Sequence, residues 1–87
     1  MAWTVAQIDT IITNNQTLIT NYQTALINND STNPAVTAVI DAISLQTNQW
    51  RIDLLEIITK LIEENEMLSK IRNKLTPYEF HTRYIIQ

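Results

Sequence analysis

The chain reads as an all-α protein, a long antiparallel two-helix hairpin of coiled-coil type followed by a short C-terminal helix or extended arm. Three observations predict this. Apolar residues recur three and four apart over two long stretches. A polar, proline-terminated segment, NNDSTNP at residues 28–34, lies between those stretches. Glycine is absent from all 87 residues, so turns that need positive φ must fall to Asn or Asp.

The first helix is expected over residues 4–28. Thr4 can cap the orphan amides, Gln7 stands three residues later to return the hydrogen bond, and Trp3 can staple onto Ile8. Val5, Ile8, Ile12, Ile19, Tyr22 and Leu26 then form one seam, with Asn15 in the vacant slot and Ile11, Leu18 and Ala25 widening it. Asn and Asp side chains compete for backbone hydrogen bonds and proline cannot continue a helix, so residues 29–33 form a turn. Asn33 caps the next helix, with Pro34 at its first position.

The second helix is predicted over residues 34–75 without a break. Its seam reads Val36, Ile40, Ile43, Thr47, Trp50, Leu54, Ile57, Leu61, Glu64, Leu68, Ile71 and Leu75. Lys70, Arg72 and Lys74 fall in its last turns, where cations suit the helix dipole. Folded at the turn, the two seams place Ile40 by Tyr22, Ile43 by Ile19, Trp50 by Ile12 and Leu54 by Ile8. Asn15 then meets Thr47 in a polar layer that fixes register.

In that register the second helix outruns the first by about 18 residues at 1.5 Å each. Leu61, Leu68, Ile71 and Leu75 lack an intramolecular cover, and Ile52, Leu55, Ile58 and Ile62 make a further stripe. Two helices cannot bury three faces, which points to self-association or to a larger partner. The docking segment 76–87, with Tyr78, Phe80 and Tyr84 as anchors, permits two readings. Thr76, Pro77 and Glu79 form a capping box, whereas alternation from Tyr78 to Ile86 has strand periodicity. The expected interface set is Ile58, Leu61, Ile62, Leu68, Ile71, Leu75, Tyr78, Phe80 and Tyr84.

Chemistry-bearing patterns are sparse. Without cysteine there is no disulfide or thiolate metal site, and without glycine there is no phosphate-cradling loop. A net charge of -3 with interleaved bases disfavours nucleic acid. Glu63, Glu64 and Glu66 point in different directions on a helix and lack the histidine three residues on that bundle metal sites use. His81 has no second ligand beside it. No catalytic, metal or cofactor site is expected, and no small-molecule substrate. Residues 1–50 carry only Asp9, Asp30 and Asp41 as charges, a surface suited to lying against protein. No stretch reaches the roughly 18 apolar residues of a membrane span and no secretion signal is seen, so a cytoplasmic or virion-associated place is expected.

Two resemblances bear on function. RIDLLEIITKLIEEN, from Arg51, resembles a helix of the small all-α chorismate mutases, which imply several cations around a dicarboxylate; only Arg51 and Lys60 stand in this stretch. MAWTVAQIDTIIT resembles the opening of small bacteriophage head-to-tail joining proteins over about 13 residues, where an aromatic, a Thr cap and a Gln-Ile-Asp turn lead into a helix. Those proteins continue into a β-hairpin; this chain continues into a helix. That resemblance implies a small virion component, a non-enzymatic structural subunit partnered by itself or by other structural proteins. The alternative is a helical adaptor or chaperone that binds an unrelated protein through the overhang and tail.

Overall fold

The computed structural model describes residues 3–86, with side chains for residues 3–77. It is an all-α hairpin in which α1 (Val5–Ile27) packs along α4 (Gln49–Ile86), joined by the short helices α2 (Pro34–Thr37) and α3 (Ala42–Leu45). The molecule is a rod of 59 × 23 × 17 Å, as a single 38-residue helix demands at 1.5 Å per residue.

The capping box starts α1 as expected: Thr4 Oγ1 accepts from the Gln7 amide at 3.1 Å, and Gln7 Oε1 accepts from the Thr4 amide at 2.9 Å. Its other end is a Schellman turn. Asn29 takes φ 53°, its amide donates to Leu26 O at 3.2 Å, and the Asp30 amide donates to Ala25 O at 2.9 Å. Here Asn does what glycine usually does, because its short polar side chain tolerates the left-handed region. Arg51 locks the turn from α4, donating from Nη1 to Leu26 O at 2.9 Å and to Asn29 Oδ1 at 3.0 Å. A cation at the carboxyl end of α1 also opposes the helix dipole. Asn29→Ala is therefore expected to lower stability by about 1–2 kcal/mol, and Asn29→Gly by much less. Urea midpoints compare them; equal losses would mean that the hydrogen bond to Arg51, not the backbone angle, matters at residue 29.

The unbroken second helix over 34–75 is not found. Asp41 interrupts it: its backbone is extended (φ -70°, ψ 158°), and its carboxylate accepts from the Ser44 amide at 2.8 Å to cap α3. That amide bond holds the Asp41 carboxyl below the usual carboxylate range; the Ser44 hydroxyl, donating at 3.3 Å, adds to it. Thr47 does similar work, accepting from the Gln49 amide at 3.2 Å where α4 begins. Side-chain acceptors of this kind offer the backbone an alternative to the helix, and the β-branched residues of 36–43 are weak helix formers to begin with. At the turn, the Asp30 carboxyl is likewise held low, first by the Thr32 hydroxyl at 2.6 Å and then by the Thr32 amide.

The break changes the register. Residues 28–48 form a folded corner, so α4 returns along α1 about five helical turns beyond the expected position. Asn15 now stands opposite Asn65, not Thr47, and Asp9 opposite Arg72. Ile43, expected by Ile19, is 79% exposed. The core gathers Ile19, Tyr22 and Ala25 of α1, Val36 and Ile40 of the corner, and Trp50, Leu54 and Ile58 of α4. The C-terminal segment is neither a separate helix nor an arm: its backbone to Ile86 continues α4, with Pro77 inside the helix.

Candidate interaction surface

The new register covers most of the predicted overhang. Leu68 and Ile58, expected at an interface, are buried within the hairpin, and Leu61 and Leu75 are half-buried. With Asp9 level with Arg72, the first turn of α1 reaches roughly to Leu75, so only the last ten or so residues of α4 run past it, about 15 Å. Ile71 at 38% and Ile62 at 41% remain exposed. Tyr78, Phe80, Tyr84 and His81 lie outside the residues whose side chains are described.

Two polar ties hold this register. The Asn15 amide group, in a residue only 7% exposed, donates to Asn65 Oδ1 at 2.9 Å and to Glu64 Oε1 at 3.1 Å; Asn65 Nδ2 in turn donates to Ile12 O at 3.4 Å. Both donors of Asn15 are used, and among the described residues no buried side-chain polar atom lacks a partner. A buried polar layer was expected at Asn15, and Asn65 supplies its other half. Near the far end Arg72 grips Asp9 with two nitrogens, Nε to Oδ1 and Nη2 to Oδ2 at 3.2 Å. Both side chains are more than a third exposed, so the pair orients α1 more than it stabilises it.

The stripe Ile52, Leu55, Ile58, Ile62 divides in the folded chain. Ile58 turns inward, while Ile52 (53% exposed) and Leu55 (52%) line the outer side of α4 and Ile62 stands beside Leu55 at the edge of the groove towards α1. Glu56, Thr59, Lys60 and Glu63 complete this open groove on the outer side. Ile52 and Leu55 were legible as a stripe by spacing; only the loss of Ile58 to the core makes them the exposed part. A second open groove runs between the helices along Ile12, Gln16, Ile62, Asn65, Glu66 and Ser69.

Among the described residues no three His, Cys, Asp or Glu side chains come together as metal ligands, and no helix is long and apolar enough to cross a membrane. No family model matches the chain, and neither a curated protein nor a solved structure matches it significantly.

Proposed function

We propose that the chain is a non-enzymatic building block that assembles through its helix faces, of the kind found in small virion components. The observation that carries this reading is the outer side of α4 with its edge towards α1, where Ile52, Leu55 and Ile62 stay outside a hairpin that covers the helix on one side only. An apolar stripe of that sort on a rod this thin is covered in use by other protein. The charge-poor surface of residues 1–50 supports the same reading, because a helix face left to water usually carries Lys and Glu. The extension of α4 past α1 adds a second place for a neighbour to engage.

Sedimentation velocity over a concentration series tests the proposal. The expected result is a mass above 10.1 kDa that grows with concentration and settles at a defined oligomer. A chain that stays a 10.1 kDa particle throughout would overturn it.

A further inference from the structure

We propose that two copies of the chain pair antiparallel along the outer stripe of α4, the dyad passing close to residue 57. This rests on the reading of the chain as a self-assembling block and names the contact. The stripe is complementary to its own reverse. Reading Ile52, Leu55, Thr59 and Ile62 against the same residues in the opposite direction sets Ile52 on Ile62 and Leu55 on Thr59, large on small in the inner layers. A twofold contact requires this kind of self-match, in which one residue meets a second and the second meets the first.

Thr59 suits a buried layer because its hydroxyl already donates to Leu55 O at 2.9 Å, leaving no polar group in want of a partner. Charge follows the same symmetry. Lys60 on the rim of the groove falls two residues, about 3 Å along the axis, from Glu56 of the other copy, twice in the pair, and so offsets the approach of the two Glu56 side chains near the dyad. The apolar patch is small, so the pair is expected to be reversible at working concentrations.

The 87-residue chain carries no cysteine, which makes cross-linking clean. Under mild oxidation a mixture of Ile52→Cys and Ile62→Cys chains is expected to form the mixed disulfide, while Ile52→Cys alone does not cross-link. Glu56→Lys and Lys60→Glu should each raise the dissociation constant about tenfold, and the double variant E56K/K60E should restore it. Cross-linking of Ile52→Cys with itself would overturn the antiparallel pair in favour of a parallel one. An oligomer indifferent to both charge reversals would overturn this contact and leave the building-block reading standing; a chain that is monomeric at every concentration would overturn both, leaving the stripe to a different protein.

Discussion

Leu54→Ala is expected to lower the stability of the hairpin by about 3–4 kcal/mol. Leu54 is 0% exposed and sits in the cluster where α1, the corner and α4 meet, so removing its branched end opens a void that neighbours on three elements cannot all relax into. A chain of this length has a total stability of roughly 4–13 kcal/mol at 0.05–0.15 kcal/mol per residue. The loss is thus a large fraction of the whole, and the midpoint of thermal unfolding should fall by about 15–25 °C. Ile43→Ala is the matched control. An unbroken second helix would have placed Ile43 in the seam against Ile19, with a penalty similar to that at Leu54. In the folded chain it is 79% exposed, and its truncation should cost no more than about 0.5 kcal/mol. Circular dichroism melts of the two variants decide the matter. Comparable losses at both positions would mean that the corner is not folded as described.

The contrast between those two residues shows what could be read from the chain and what could not. The start of α1 was legible because its signals are local: Thr4 and Gln7 need only each other. The need for Asn or Asp at positive φ was legible from the lack of glycine, and Asn29 meets it. The interruption at Asp41 was obscured because the four-and-three alternation runs on from Val36 to Leu75 in phase. Periodicity reports which face is apolar, not whether the backbone between two apolar residues is continuous. A cap signal was present, an Asp three residues before Ser44, and it outweighed the seam because it satisfies an amide directly.

Register was harder for a related reason. Two helical seams match again after a slide by whole turns, here about five, so apolar residues alone cannot choose among the matches. The choice falls to the polar residue in the seam. Asn15 had two possible partners on the second helix. Thr47 offers one short hydroxyl, whereas Asn65 offers an acceptor for Asn15 and a donor for Ile12 O at once. Only the second satisfies a buried amide fully, and it moves α4 to where Leu68 is buried. The interface expected at Leu61, Leu68 and Leu75 followed from the first register, and that at Ile58 from the extra stripe. In the folded chain its exposed remainder is Ile62 and Ile71, with Ile52 and Leu55 beside Ile62.

If that polar layer sets the register, Asn15→Asp should be among the most damaging isosteric changes available, by about 2–4 kcal/mol near neutral pH. The substitution alters almost no volume. It removes the donor that reaches Asn65 Oδ1 and Glu64 Oε1, and puts a carboxylate into a site only 7% exposed. Desolvation of the new charge is the larger effect, since Glu64 is itself exposed and its repulsion is partly screened by water. Both effects favour the neutral acid, so the folded-state pKa of the introduced carboxyl is raised above its unfolded value of about 3.9. The sign of the pH dependence follows. Below about 3.9 the group is protonated in both states and the ionisation penalty is absent; it grows as pH rises towards the raised folded value and is constant above it. Asn15→Leu loses the same donors without adding a charge, so its deficit relative to the wild type should stay level across that range. Urea unfolding of the three chains between pH 3 and 8 separates the effects. A deficit for Asn15→Asp that does not shrink on acidification would show that residue 15 is open to water, and that the pairing of Asn15 with Asn65 does not determine how α1 lies on α4.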